Sequence, residues 1–276
     1  MRLGADFDGM QSLIGCPIIM PDDSGEFVMG VLMMDGSHYR CMPHAIWVDS
    51  NGKRFCNEAH CYPAAANALA STNAYGGVQV SHRNPTMIFD NTLAQNYGFP
   101  ASSETGDPVQ YGWGPVQPAW VRSYDTLEEL AAAEGIDYAN LTATVERFNG
   151  FADEGYDPDW HRGEGTYDNL DPNSTVSVVC GAMIAEEEPE LKNQTLGRID
   201  NPPFYACTVA LSSFGTSGGM VVNEHNQVLR NGEPIPGLYA SGCVAANTYT
   251  SGGWSIAWDF YGDLNAVDHA LGLGIF

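Results

Sequence analysis

The sequence predicts a mixed α/β fold in which one domain is interrupted by another. Three observations carry this. Apolar runs bounded by Pro, Asp and Gly gather before about residue 60 and return after about residue 195, the pattern of buried strands. The stretch between them is richer in small residues, polar loops and helix signals. The last fifth sets a glycine-bearing turn after an apolar strand, then a glycine pair ahead of a helical run. A chain that starts β, turns mixed and returns to β has the form of an insertion, so residues 1–60 and 195–276 are assigned to one domain and 61–194 to an inserted one.

The elements follow in order. Met1 to Asp6 reads as the end of a helix capped by Gly4. Pro17 to Pro21 and Phe27 to Met34 read as strands. Ala45 to Asp49 leads into Ser50-Asn51-Gly52-Lys53, where Asn-Gly marks a tight turn, and Arg54 to Glu58 is predicted to return as the second arm of a hairpin. Ala64 to Ala70 is a helix by propensity. Thr126 with Glu129 forms a capping box that opens a helix ending near Glu134, and Gly135 stops it. A second helix follows Asp137 or Asn140, with Leu141, Val145 and Phe148 on one apolar face. After Asn201-Pro202-Pro203 the strands resume at Phe204 to Leu211, Gly219 to Asn223, Gln227 to Leu229 and Gly237 to Ala240, and a helix runs from Trp254 to about Ala270. The turn and glycine pair before that helix aim backbone N–H groups and a positive helix end at one point, which calls for an electron-rich partner.

Composition narrows the function. Eleven Lys and Arg stand against 34 Asp and Glu, a formal charge of −23 that repels phosphate backbones and argues against nucleic acid. Seven cysteines, an odd number in mostly apolar surroundings, read as reduced thiols, which favours a cytoplasmic setting. Cys56, His60 and Cys61 lack a second pair at ligand spacing, so no metal is expected. No apolar run is long enough to span a membrane. His44 and His60 are read as solvated or satisfied in the core.

Several motifs resemble one family of FAD-dependent flavoproteins, which includes fumarate reductase and succinate dehydrogenase flavoprotein subunits, urocanate reductases and 3-ketosteroid Δ1-dehydrogenases. Asp49-Ser50-Asn51-Gly52-Lys53-Arg54-Phe55-Cys56-Asn57-Glu58 looks like V-N-x-x-G-x-R-F-x-N-E, and Thr144 to Asn149 resembles the cap-domain T-V-x-x-[FY]-N. Pro203 to Ala206, Gly215 to Gly219 and Ile235 to Gly242 are similar to the closing segments, in the right order. No glycine-rich G-x-G-x-x-G follows a strand anywhere in the chain. The resemblance therefore implies the C-terminal portion of such a protein: an FAD-binding domain with an inserted cap. A fragment, a non-catalytic subunit or remnant, and a split gene whose second polypeptide carries the N-terminal half all fit.

Within the family, fumarate-type enzymes carry an Arg in the last motif, where this chain has Thr248 to Ser255 and no Arg. The ketosteroid dehydrogenases are more similar. Their N-E-x-x-x-Y is matched by Asn57, Glu58 and Tyr62, and their T-Y-x-x-x-G-x-[ST]-I by Thr248, Tyr249, Gly253, Ser255 and Ile256. The resemblance implies that Tyr249 and the Gly253 N–H polarise a ketone oxygen, that Tyr62 takes the adjacent proton, and that hydride leaves to flavin N5. It places Ser241, Gly242, Cys243, Gly252, Ser255 and Ile256 at the cofactor. Arg54, Asn57 and Glu58 stand near substrate, with a surface ion pair as the plainer reading of Arg54 and Glu58. The implied substrate is a hydrophobic, steroid-like ketone. Reduction of an activated double bond is the alternative.

Overall fold

A computed structural model describes residues 3–10, 13–19, 31–32, 40–60, 62–69, 85–102, 105–106, 108–165, 168, 184, 186–216, 218–246 and 255–275; for some of these, among them Tyr62, Ser255 and Ile256, only the backbone is described. The fold mixes helices and strands. It divides into two compact units, Cys16–Ser212 and Met1–Gly15 with Ser213–Phe276.

The larger unit is built on a sheet whose alternating side chains are buried on both faces. Its strands are β2 (Leu13–Ile19), β3 (Val31–Leu32), β4 (Ala45–Val48), β5 (Thr86–Phe89), β8 (Arg122–Tyr124) and β9 (Phe204–Thr216), in the order β3-β2-β9-β5-β4 with β8 also paired to β9. Strand residues alternate in direction. Ala45 and Trp47, Met87 and Phe89, and Tyr205, Cys207 and Val209 therefore enter one core with residues of α1 (Tyr62–Leu69) and α2 (Asn91–Asn96). Ile46, Val48, Ile88, Phe204 and Ala206 enter a second core against α3 (Leu127–Glu134) and α4 (Tyr138–Glu154). The result is a sheet between two helical layers, and burial on both sides explains its near-continuous apolar strands. A short hairpin, β6 (Phe99–Ser102) with β7 (Pro108–Gly114), completes the strands of this unit.

The predicted helix signals form as chemistry dictates. Thr126 accepts the Glu129 N–H at 3.1 Å and Gly135 closes α3 with a left-handed φ of 68°. Leu141, Val145 and Phe148 are buried along α4. The Asn51-Gly52 turn also forms, with Gly52 N–H donating to the Asp49 carbonyl at 2.9 Å. Glycine is needed there: its φ is +72°, and a Cβ would stand 2.6 Å from the Leu141 nitrogen. The predicted return arm does not form. β4 pairs instead with β5, Ala45 opposite Phe89 and Val48 opposite Thr86. Residues 54–58 leave the sheet because the Asn57 side chain accepts the N–H groups of Ala59 and His60, at 3.0 and 3.1 Å, and turns the chain.

The smaller unit pairs β1 (Phe7–Asp8) with β10 (Gly219–Met220) and β11 (Gln227–Arg230) with β12 (Glu233–Tyr239). Asn231 and Gly232 make the β11–β12 turn with φ of 53° and 79°, and the Asp6 carboxylate accepts both of their N–H groups at 2.9 Å. The closing helix, α5, spans Ser255–Leu271.

Candidate active site

Within the larger unit, charged side chains converge on Glu58, 1% exposed at its side chain. Arg54 donates to both carboxylate oxygens at 2.8 Å and also to Asp157 at 2.9 Å. Arg162, fully buried, donates to Glu58 at 3.3 Å and to the carbonyls of Ala45 and Met42 at 2.8 Å. Both guanidinium groups lie over the Phe148 ring, at 5.0 and 5.7 Å from its centroid. The Trp47 N–H donates to the same carboxylate at 3.2 Å. Burial alone would raise the Glu58 pKa, but the Arg54 charge and hydrogen bonds, with Arg162, hold it below the usual carboxylate range. Burial lowers the pKa of Arg162. Arg54 and Glu58 thus form a buried ion pair, and a surface pair is not what the chain makes.

The same cluster fixes the loop that leads into α1. Arg40, 1% exposed, donates to the Glu58 carbonyl at 3.1 Å and to the His60 carbonyl. Asn57, besides turning the chain, donates to Asp168 at 2.7 Å. Tyr62, the first residue of α1, follows two residues after His60. Asn57 and Glu58 therefore shape the backbone ahead of Tyr62.

His44 lies in a second buried network. One ring nitrogen is 2.8 Å from Glu188, the other 2.6 Å from the Arg198 carbonyl, and the Tyr97 hydroxyl donates to Glu188 at 2.6 Å. Burial opposes the imidazolium, but the Glu188 hydrogen bond and charge outweigh it and raise the His44 pKa above its ordinary 6.5. Burial likewise opposes the Glu188 carboxylate, and His44 and Tyr97 outweigh it, so its pKa falls below 4.5. The raised His44 stabilises the fold below pH 6.5 and loses that contribution as pH rises through its folded pKa. Glu188 contributes above pH 4.5 and loses it as pH falls through its own. The stability difference between the native chain and His44→Gln is accordingly largest between pH 4.5 and 6.5 and shrinks as pH rises further. Urea midpoints across that range measure it, and a difference that grows above pH 7 would overturn the assignment.

In the smaller unit, Ser241 precedes a single 3-10 turn at Gly242–Val244, with Gly242 at φ 64° and Cys243 an exposed free thiol. Backbone holds this turn: Ala246 N–H donates to the Met220 carbonyl at 2.8 Å, and a Cβ on Gly219 would meet the Val244 carbonyl oxygen at 2.5 Å. Ser255 and Ile256 open α5, whose first turn contains no acidic residue to offset its positive end. Tyr249, Gly252 and Gly253 lie outside the described residues. Sequence reasoning missed Arg40, Arg162 and Asp168. The one signal for the two arginines was their rarity in this chain, and nothing local tied them to Glu58. Among the described residues no group of His, Cys, Asp and Glu could hold a metal ion, and no helix is long and apolar enough to cross a membrane.

The comparisons with known proteins give the class: a flavoprotein of the oxidoreductase type. The sequence model of the family described as FAD binding domain matches residues 5–255, and the chain belongs to that family. FAD is the cofactor of the family. The chain is 32% identical over 255 residues to a 4-oxocyclohexanecarboxylate 2-dehydrogenase of Sinomonas cyclohexanicum, covering 91% of this chain and 40% of that protein. It is 33% identical over 230 residues to a 3-oxosteroid 1-dehydrogenase of Mycobacterium tuberculosis, covering 79% and 37%. The crystal structure of 3-ketosteroid Δ1-dehydrogenase from Sterolibacterium denitrificans in complex with 1,4-androstadiene-3,17-dione superposes with a TM-score of 0.73 at 26% identity, covering 98% of this chain and 45% of that one. The chain thus spans less than half the length of these relatives. A second polypeptide carrying the remainder finds no support in them.

Proposed function

We propose that the complete protein is an FAD-dependent dehydrogenase that places a double bond beside a ring ketone. One observation carries this reading. The two relatives at 32% and 33% identity are named for 4-oxo, 2-dehydrogenation and 3-oxo, 1-dehydrogenation, so in both the oxo group and the named carbon stand two ring positions apart. That spacing is α,β-desaturation of a ketone, in which the α C–H is acidified by the carbonyl.

In this reading Tyr249 and the Gly253 N–H polarise the ketone oxygen, and Tyr62, as phenolate, takes the α proton. FAD, when bound, supplies the acceptor for the hydride that leaves the β carbon. The residues present suit that cofactor: the first N–H groups of α5 have no intrahelical acceptor, and no carboxylate of its first turn competes for them. Ser241, Gly242, Cys243, Gly252, Ser255 and Ile256 are the residues that would hold it. A ketone is favoured over a dicarboxylate because Arg54, Arg122, Arg147, Arg162 and Arg198 are each committed to carboxylates of the chain itself.

The test uses the complete protein with FAD and an artificial electron acceptor. A panel of 3-oxosteroids and 4-oxocyclohexanecarboxylate should yield a conjugated enone from at least one member. If none is desaturated, the reading is wrong.

A further inference from the structure

Along the described side chains of α5 the buried positions are Gly262, Asn265 and Asp268, whereas Phe260, Leu264, Val267 and Leu271 are exposed. The helix thus meets its own unit with a glycine and polar groups, and hydrogen bonds do the work that apolar packing does elsewhere in the chain. We infer that Asn226, Asn265 and Gly262 are positioning residues for the cofactor: they form a polar joint that sets α5 against the Ser241-Gly242 turn. The inference rests on the reading above, in which that turn and the start of α5 hold FAD.

Asn226 is the centre of the joint. It takes a left-handed φ of 60°, a conformation that Asn tolerates better than most residues. Its backbone carbonyl accepts the Ala240 N–H at 3.0 Å, and its Nδ2 donates to the Ala240 carbonyl at 3.2 Å. Both backbone groups of Ala240 are therefore held by one residue, immediately ahead of Ser241. The remaining side-chain atom, Oδ1, accepts from Asn265 Nδ2 at 3.1 Å, and the same Asn265 nitrogen donates to the Glu224 carbonyl. A single carboxamide thus ties the approach to the turn to the middle of α5.

Gly262 sets the distance. Its place inside α5 demands no left-handed backbone, so close approach is what the missing Cβ provides. A Cβ there would stand 3.0 Å from Asn226 Nδ2, 3.1 Å from Ser241 Oγ and 3.2 Å from Ser241 Cβ. The serine hydroxyl can rotate away. Asn226 Nδ2 is held by the Ala240 carbonyl, however, and Ser241 Cβ moves only with its own backbone. A methyl group at position 262 must therefore displace either the turn or the helix, and in the proposed reading both face FAD.

Titration of the complete apoprotein with FAD, followed by flavin fluorescence, tests this alongside urea midpoints of the same apoproteins. Ala is a better helix former than Gly, and Leu than Asn, so a role confined to holding α5 together predicts that Gly262→Ala keeps both its midpoint and its FAD affinity. The joint predicts FAD dissociation constants raised about tenfold in Gly262→Ala and in Asn265→Leu, with the Gly262→Ala midpoint no lower than native. FAD affinity within about twofold of native in either variant would overturn the proposal, and so would a Gly262→Ala midpoint that falls with the affinity. Gly242→Val, at φ 64° in the turn itself, separates the two levels of the reading. If it abolishes FAD binding while Gly262→Ala and Asn265→Leu do not, the joint alone fails; if it too leaves binding unchanged, the cofactor assignment fails with it. No substrate enters the titration, so the outcome of the ketone panel does not bear on it.

Discussion

Glu58→Ala lowers the stability of the larger unit by about 3–5 kcal/mol, the loss that follows when one partner of a buried ion pair is removed. The size comes from what stays behind. Arg54 retains Asp157, but Arg162 loses its carboxylate while its side chain remains fully buried, and its Nε already has no partner. The backbone N–H of Trp47 on β4 also loses its acceptor. Urea denaturation reads this as a lower midpoint at unchanged slope. Because the folded pKa of Glu58 lies below its ordinary 4.5, the native advantage over the variant is present above that pH and falls away as acid protonates the carboxylate through its folded pKa. A second variant separates charge from shape. Glu58→Leu with Arg162→Met removes both buried charges together and should recover much of the loss, since apolar replacements of buried pairs are often neutral. A Glu58→Ala midpoint within about 0.5 kcal/mol of the native chain would show that the cluster holds nothing together.

The local half of this architecture is legible in the sequence. Thr126 with Glu129, Gly135, the Leu141-Val145-Phe148 row and the Asn51-Gly52 turn each encode their geometry within a few residues, and each forms as read. The Arg54–Glu58 pair was visible too, because the two lie four residues apart. What escaped was non-local or short. β5 is only four residues, Thr86–Phe89, too brief to separate from a loop, yet it gives β4 its partner. Asp90, which caps α2 by accepting from Thr92 at 2.9 Å, was an available but unread signal. Arg162 stands 104 residues from Glu58, and no pattern in a single sequence announces such a meeting. The burial of Arg54 followed from the same blindness. A surface pair and a core pair look identical until the helix that covers them, α4 with Phe148, is placed.

In the proposed reading that cluster would bear on the chemistry through the loop it positions. A chain with eleven cations places Arg40, Arg54 and Arg162 in its interior, and one terminal nitrogen of Arg40 donates to the carbonyls of both Glu58 and His60. Fixing those two carbonyls fixes the path into α1. Without that anchor, a loop ending at a helix start would be free to shift by more than the tolerance of proton transfer, for which an ångström can cost about a hundredfold in rate.

Tyr62→Phe in the complete, FAD-loaded enzyme lowers kcat by about 10²–10⁴-fold while KM changes less than about threefold, the signature of a lost general base with binding retained. An ordinary phenol, with a pKa of about 10, is a poor base at neutral pH because little phenolate is present. Substrate deuterated at the α carbon should then show a primary isotope effect in the native enzyme wherever proton removal limits turnover. A kcat within about threefold of native in Tyr62→Phe would eliminate Tyr62 as the base. It would leave the ring-ketone reading standing, with another group taking the α proton. Failure of every ketone in the native enzyme would remove both.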